Sequence, residues 1–267
     1  MAGDGVPSSG RRLSGLPLRS VPANAITAAA LCFGLTGVRF AISGKWEMAM
    51  ACIIGAGVLD GLDGRVARML KGESRFGAEL DSLSDTIAFG VSPALIIYLW
   101  SLQEVPRIGW FFALGYAVSC ALRLARFNAG IDIKDQPHKS AGFLTGVPAP
   151  AGAGLMFCPL YIWTVTGEPL ARNPWLVAPW VLLVSLLMIS NLATFSWSSL
   201  RLRRDFRLPA ILLLGLVSGL LISEPWATLL AISVAYVLLI PFSVRAYARV
   251  RRRRAMPGGG LGDMPAA

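Results

Sequence analysis

The chain has few of the residues that build zinc sites, disulfide frameworks and charged soluble surfaces. Its 267 residues include one histidine and four cysteines, and the cysteines show no CxxC spacing. Neither a zinc site nor a disulfide framework is therefore predicted. Charged residues make up only 15% of the chain, whereas hydrophobic residues make up 55%. This balance excludes an ordinary soluble domain and predicts a polytopic membrane protein.

Acidic residues are also scarce, with 15 Asp and Glu against 25 Lys and Arg and a net charge of +10. The basic residues flank apolar runs, where membrane topology and anionic lipid headgroups account for them. The chain has no basic domain and no aromatic platform, so no nucleic-acid partner is predicted. It also has no internal repeat, which gives no support to an inverted-repeat transporter.

Apolar runs long enough to cross a bilayer recur along the chain and predict an all-α fold of about eight transmembrane helices. The predicted spans are 23–42, 48–68, 79–100, 108–127, 143–164, 175–195, 208–223 and 226–245. We expect one membrane domain over 21–250. The flanking segments 1–20 and 251–267 are rich in Gly, Pro, Ser and Arg, which predicts disordered basic tails.

The distribution of Lys and Arg predicts the orientation of these helices. Most basic residues lie on alternate loops or on the helix ends beside them, at 11–19, 65–75, 123–139, 201–207 and 245–254. Cytoplasmic loops carry the excess of positive charge in membrane proteins. Both termini are therefore expected in the cytoplasm, and the protein is expected in the cell (inner) membrane among membrane lipids.

Four aspartates are concentrated between residues 60 and 85. Asp60 and Asp63 are three residues apart and share one helix face, and Asp81 and Asp85 are four residues apart on the next helix. An ionised carboxylate near hydrocarbon is costly unless it meets a cation, so this set indicates a metal or a proton pathway. The loop between the pairs returns the chain, and hard oxygen ligands in this number favour Mg²⁺ or Mn²⁺.

Small residues and one arginine accompany the carboxylates. Gly64 and Ala67 continue the helix face of the first pair, and Gly77 lies one turn before Asp81. Residues with almost no side chain would let a flat or bulky ligand approach the backbone closely. Arg68 lies where a guanidinium could meet a ligand phosphate. In the structural alternative, the aspartates pair with neighbouring arginines and the glycines serve helix packing.

The segment resembles the signature of the CDP-alcohol phosphatidyltransferases. That signature reads D-G-x-D-G-x-x-A-R, eight residues, then G-x-x-x-D-x-x-x-D. The chain matches it in full at Asp60, Gly61, Asp63, Gly64, Ala67, Arg68, Gly77, Asp81 and Asp85. So many fixed positions make the match a strong signal.

The resemblance implies a role for each matched residue. Asp60, Asp63 and Asp81 would hold divalent ions on the diphosphate of a CDP-lipid, and Asp85 would share a metal and act as the base. The same resemblance implies a cytidine pocket in which Arg68 helps to hold the nucleotide. Its other lining residues would be Gly64, Ala67 and Gly77.

Three further stretches resemble one branch of that family, the bacterial and archaeal membrane type of CDP-diacylglycerol–serine O-phosphatidyltransferase. They are 85–94, 122–128 and 143–150, and the helix start at 22–27 also fits. The branch implies CDP-diacylglycerol and L-serine as substrates, CMP as a product, and a homodimer. The alternatives are the same chemistry with glycerol 3-phosphate, inositol phosphate or choline as acceptor, and, more remotely, an ion-coupled transporter.

Arg123 and Arg126 are three residues apart near the end of the predicted fourth helix and are interpreted as a second anion site. A guanidinium suits the carboxylate of serine, and the lipid phosphate is the competing ligand. The alternative for both is positive-inside anchoring. Asn128 is either a ligand or a helix cap, whereas Asn24 and Thr27 are interpreted as helix caps.

Overall fold

The structure, a computed structural model, describes residues 18–72, 74–129, 143–190, 193–195 and 207–254. Most of both predicted tails, at 1–17 and 255–267, lies outside these residues. The described helices are α1 Val21–Ile42, α2 Trp46–Met69, α3 Arg75–Asp85, α4 Ser92–Trp100, α5 Pro106–Ala129, α6 Ala149–Met156, α7 Cys158–Thr166, α8 Pro174–Ile189, α9 Arg207–Ser223 and α10 Pro225–Arg254. Two short antiparallel strands accompany them, β1 Phe143–Thr145 and β2 Ala193–Phe195.

The chain is a helical membrane protein. Among the described residues, three helices are long and apolar enough to cross a membrane: Val21–Ile42, Arg75–Trp100 and Pro106–Ala129. Shorter apolar helices lie at Pro174–Ile189, Leu208–Ser223 and Pro225–Pro241. The predicted helical class is therefore confirmed for the described residues, which also include one pair of short strands.

The predicted span 143–164 is divided in the structure into β1, α6 and α7. Pro159 has no backbone N–H to donate to the carbonyl of Leu155 four residues earlier, so a continuous helix is interrupted here. The indole Nε1 of Trp180 donates to that carbonyl instead, at 2.8 Å. The carbonyl of Leu155 therefore keeps a hydrogen-bond partner despite the interruption at Phe157.

The predicted span 175–195 also ends early, because α8 stops at Ile189 and β2 follows it. The carbonyls at this helix end are bonded by other elements: Val147 N–H donates to Leu187 O at 3.3 Å, and Arg126 donates to Ile189 O at 2.9 Å. An apolar sequence fits a buried strand and a helix equally well, so hydropathy alone did not separate β1 and β2 from the helices.

The segment between α3 and α4, Thr86–Val91, is a π-helix that begins directly after Asp85. Gly34 of α1 packs so closely on it that a Cβ at Gly34 would lie 2.8 Å from the Cα of Ala88. From α5, the hydroxyl of Tyr116 donates to the carbonyl of Phe89 at 3.0 Å. Short π-helical turns are rare in proteins, and those that do occur are often found at functional sites. Here the turn is fixed from both sides and holds Asp85 at its start.

Candidate functional site

The aspartates of the sequence motif come together where α2 and α3 face each other. Carboxylate oxygens of Asp60, Asp63 and Asp81 lie within 4.8 Å of one another. Asp63 is 6% exposed, and the other two are partly buried. Asp85 is within hydrogen-bonding reach of Asp60. Carboxylates at such distances repel one another strongly unless a cation or a proton lies among them.

The structure gives no support to the alternative in which these carboxylates are neutralised by neighbouring arginines. The carboxylates of the cluster act on one another, and within the described residues Arg65, Arg68 and Arg75 form no salt bridge with them. One oxygen of Asp81 is buried and has no hydrogen-bond partner in the described part of the chain. A buried, unpaired carboxylate oxygen is costly.

Both the donor set and the orphaned oxygen fit a metal ion. The cluster offers oxygen ligands alone, which hard divalent cations prefer and which structural zinc sites lack. A cation at this position would give the buried oxygen of Asp81 a partner and reduce the repulsion among the carboxylates. The cluster is therefore a site that can bind a divalent metal.

Thr27 contacts this cluster from α1, and the prediction that it is a helix cap is wrong. α1 begins at Val21, so Thr27 lies well inside the helix instead of capping it. Its hydroxyl donates to Oδ2 of Asp63 at 2.6 Å. Asn24, one turn earlier, is also inside the helix, and its side-chain oxygen faces Gly77. A possible signal in the sequence was the spacing of these two polar residues, which places them on one helix face.

A cavity of about 530 Å³ opens beside the carboxylates between α1, α2 and α3. Two members of the cluster, Asp63 and Asp81, lie on its wall. The remaining lining residues include all four predicted for the nucleotide pocket, namely Gly64, Ala67, Arg68 and Gly77. We call this space the polar cavity. Its size is in the range of small-molecule sites in proteins.

The two glycines of the polar cavity differ in their surroundings. A Cβ at Gly64 would have no heavy atom within 4 Å, so the absent side chain leaves open space. A Cβ at Gly77 would lie 2.9 Å from Oδ1 of Asn24, so this glycine lets α3 approach α1. Ser74 caps α3 by accepting a hydrogen bond from the backbone N–H of Gly77 at 3.0 Å. Gly64 therefore leaves room beside the carboxylates, and Gly77 allows close packing.

The three residues of the predicted second anion site have different contacts. Arg123 is partly buried, interacts electrostatically with Asp85 and Tyr236, and its Nε has no hydrogen-bond partner among the described residues. Arg126 donates to the carbonyl of Ile189 at the end of α8. Asn128, in the last turn of α5, donates to Ser82 Oγ of α3 at 2.8 Å. Arg123 is thus the member that the structure relates directly to the carboxylate cluster.

A second space, largely apolar and about 300 Å³ in volume, lies between α2, the π-helix, α6, α7 and α10. We call it the apolar chamber. Gly57, one turn before Asp60, and Phe89, one turn after Asp85, both line it. Tyr236 of α10 lines it as well. The acidic site therefore lies within about one helical turn of an apolar surface. The apolar chamber was not predicted from the sequence.

Together these features define a class of protein: a helical membrane protein that can hold divalent metal in a carboxylate cluster between a polar cavity and an apolar chamber. The family model described as CDP-alcohol phosphatidyltransferase matches residues 20–197, and a second one, CDP-alcohol phosphatidyltransferase 2, matches residues 205–241. The chain belongs to the CDP-alcohol phosphatidyltransferase family, which confirms the resemblance seen in the sequence.

Several curated relatives carry the name CDP-diacylglycerol–serine O-phosphatidyltransferase. One from Mycobacterium tuberculosis (strain ATCC 25618 / H37Rv) is 39% identical over 237 residues, covering 89% of this chain and 82% of the relative. One from Mycobacterium leprae (strain TN) is 36% identical over 221 residues, covering 83% and 73%. One from Helicobacter pylori (strain ATCC 700392 / 26695) is 35% identical over 176 residues, covering 66% and 72%.

Proposed function

We propose that this chain transfers the phosphatidyl group from CDP-diacylglycerol to the hydroxyl of L-serine in a metal-dependent reaction, forming phosphatidylserine and releasing CMP. The observation that carries the proposal is the carboxylate cluster of Asp60, Asp63, Asp81 and Asp85 beside the polar cavity. The shared name of the relatives supports serine as the acceptor. The apolar chamber, one turn from the acids, supports a substrate that carries hydrocarbon chains, and we place one acyl chain there.

Asp60, Asp63 and Asp81 would hold Mg²⁺ or Mn²⁺, with Asp85 sharing one ion. When bound there, the metal would neutralise the negative charge of the CDP diphosphate. Arg68 would pair with a nucleotide phosphate at the rim of the polar cavity. The open space beside Gly64 supports placing the cytidine along the wall formed by Gly64, Ala67 and Gly77.

Asp85 would act as the general base. The serine hydroxyl oxygen forms a new bond to the phosphorus that bears diacylglycerol, and the bond from that phosphorus to the CMP oxygen breaks. The hydroxyl proton passes to Asp85, and CMP leaves with the bonding electron pair. A hydroxyl is a far weaker acid than a carboxylic acid, so this proton moves only as the new oxygen–phosphorus bond forms.

Arg123 would bind an anionic group of a substrate. Its electrostatic contact with Asp85 supports the serine carboxylate as that group, with the lipid phosphate as the competing ligand. Arg126 and Asn128 would border this site, and their contacts with α8 and α3 would keep the end of α5 in place.

For the membrane arrangement, we propose about eight spans within one domain over 21–250 and basic cytoplasmic tails at 1–20 and 251–267. The alternation of basic loops supports cytoplasmic termini and an active site that faces the cytoplasm, in the cell (inner) membrane. A homodimer is proposed from the resemblance alone.

The test is CMP release by the purified protein from CDP-diacylglycerol with Mn²⁺ or Mg²⁺. Serine, glycerol 3-phosphate, inositol phosphate and choline are compared as acceptors, and Asp85→Asn is the control. We expect serine-dependent release that EDTA abolishes and Asp85→Asn lacks. Release with another acceptor would keep the mechanism and change the acceptor, whereas no release with any acceptor would overturn the proposal.

A further inference from the structure

Thr27 of α1 is hydrogen-bonded to both helices that carry the aspartates. Its hydroxyl donates to Oδ2 of Asp63 on α2 at 2.6 Å. Its backbone carbonyl accepts a hydrogen bond from Ser84 Oγ on α3 at 3.1 Å. Ser84 lies between Asp81 and Asp85 in sequence, so a single residue of α1 is bonded to both halves of the carboxylate cluster.

These contacts are buried and therefore strong for their kind. Thr27 is 5% exposed and Ser84 is 2% exposed. A hydroxyl-to-carboxylate bond of this length is in the range of charge-assisted hydrogen bonds, which are about twice as strong as neutral ones. The backbone N–H of Gly64 also donates to Asp63, but it belongs to the same helix as Asp63. Thr27 supplies the contact that comes from another helix.

We propose that Thr27 is a positioning residue for the metal site, which orients the carboxylate of Asp63 and fixes the distance between α2 and α3. Groups that hydrogen-bond to metal ligands orient those ligands and tune their affinity for the metal. Neither the sequence signature nor the predicted site includes Thr27 or Ser84. The inference rests on the proposed divalent-metal site and not on the identity of the acceptor.

The same helix offers a matched control. Thr36 is also on α1, and its hydroxyl donates to the carbonyl of Cys32 in its own helix at 2.6 Å. Thr27 makes the same kind of bond, to Ala23 O at 3.1 Å, in addition to its bond with Asp63. Valine has nearly the same size as threonine, so each replacement removes a hydroxyl with little change in side-chain volume. Only Thr27→Val also loses a hydrogen bond to the cluster.

The experiment measures Mn²⁺ binding to the purified full-length protein by electron paramagnetic resonance, without lipid or serine. We expect Thr27→Val to weaken Mn²⁺ binding by about 10- to 100-fold, the range seen when partners of metal ligands are removed. Thr27→Ser keeps the hydroxyl and should restore most of the affinity, whereas Thr36→Val should bind like the wild type. Equal affinity in Thr27→Val and Thr36→Val would overturn the proposal.

Ser84→Ala provides a second, independent variant. It removes the bond from α3 and leaves the Thr27 hydroxyl in place, so a smaller loss of Mn²⁺ affinity is expected, with an unchanged KM for serine. If Thr27→Val does not fold, unchanged affinity in Ser84→Ala is the result that counts against positioning. A wild-type protein that binds no Mn²⁺ would overturn the metal site and the positioning role together.

Discussion

The polar cavity and the apolar chamber use successive parts of the same helix but have opposite chemistry. The end of α2 contributes Asp63 and Gly64 to the polar cavity, and the turns before it contribute Ile54 and Gly57 to the apolar chamber. The polar cavity measures about 530 Å³ and the chamber about 300 Å³. The change from apolar surface to carboxylates occurs between Val58, which also lines the apolar chamber, and Asp60.

This contrast matches the two parts of an amphiphilic substrate. A charged headgroup needs oxygen ligands, cations and open space, which the polar cavity offers around Gly64. A hydrocarbon chain needs only apolar surface, and Gly154 leaves space of that kind, because a Cβ there would meet no heavy atom within 4 Å. On the proposed function, the phosphorus under attack would lie at the boundary between the two spaces, near Asp85 and the π-helix.

The largest expected effect comes from removing a carboxylate of the cluster. Asp81→Asn replaces a proposed metal ligand, and we expect serine-dependent CMP release to fall by at least about 100-fold, since losing even a partner of a ligand costs up to that much. Glu79→Gln is the matched control, because Glu79 is an exposed acid of the same helix outside the cluster. A similar loss of CMP release in both variants would show that activity depends on the total negative charge of α3 and not on metal binding by Asp81.

Filling the polar cavity should have the next largest effect. Gly64→Leu occupies open space beside the carboxylates, and we expect it to raise the KM for CDP-diacylglycerol and the inhibition constant for CMP by about 10- to 100-fold, the usual cost of a small steric misfit. Gly115→Leu, also in open space but lining neither cavity, is the control. Unchanged CMP inhibition in Gly64→Leu would place the nucleotide elsewhere.

The acidic site was largely predictable from sequence for a physical reason. Helix periodicity alone puts Asp60 and Asp63 on one face, and a short connection can only fold the next helix back against it. The cost of unpaired carboxylates near hydrocarbon then predicted a metal or a proton pathway, and the number of oxygen ligands favoured a metal. The four aspartates and the glycines of the polar cavity all lie within one contiguous segment, so local rules were enough to group them.

The rest depended on contacts between distant segments. The bond from Thr27 to Asp63 joins residues 36 positions apart, and a threonine in an apolar helix commonly bonds its own backbone, as Thr36 does. The apolar chamber combines α2 with α6, α7 and α10, whose residues have no pattern that distinguishes a cavity wall from packed core. The break between α6 and α7 and the strands β1 and β2 were hidden because apolar runs fit several backbone conformations.

A more moderate effect is expected from filling the apolar chamber. Gly154→Leu shortens the space for hydrocarbon, and excluding one or two methylenes should lower kcat/KM for long-chain CDP-diacylglycerol by about 4- to 15-fold, at roughly 0.8 kcal/mol for each. Short-chain substrates and CMP inhibition should be unaffected, which is the reverse of the Gly64→Leu pattern. Equal losses for short and long chains would show that the chamber does not bind the acyl chain.

The smallest expected effect concerns the π-helix that separates the two regions. Phe89 of the π-helix lies only four residues after Asp85. Its ring lines the apolar chamber, and its backbone carbonyl accepts a hydrogen bond from the hydroxyl of Tyr116. Tyr116→Phe leaves that buried carbonyl without its partner and should lower the free energy of unfolding by about 1 kcal/mol. Thermal unfolding in detergent measures this, with Tyr98→Phe as control, since Tyr98 packs its ring edge-on against Trp110. Because the π-helix at the boundary becomes less rigid, activity with long-chain and short-chain CDP-diacylglycerol should fall together. A loss with only one of these substrates would mean that the π-helix supports only the polar cavity or only the apolar chamber.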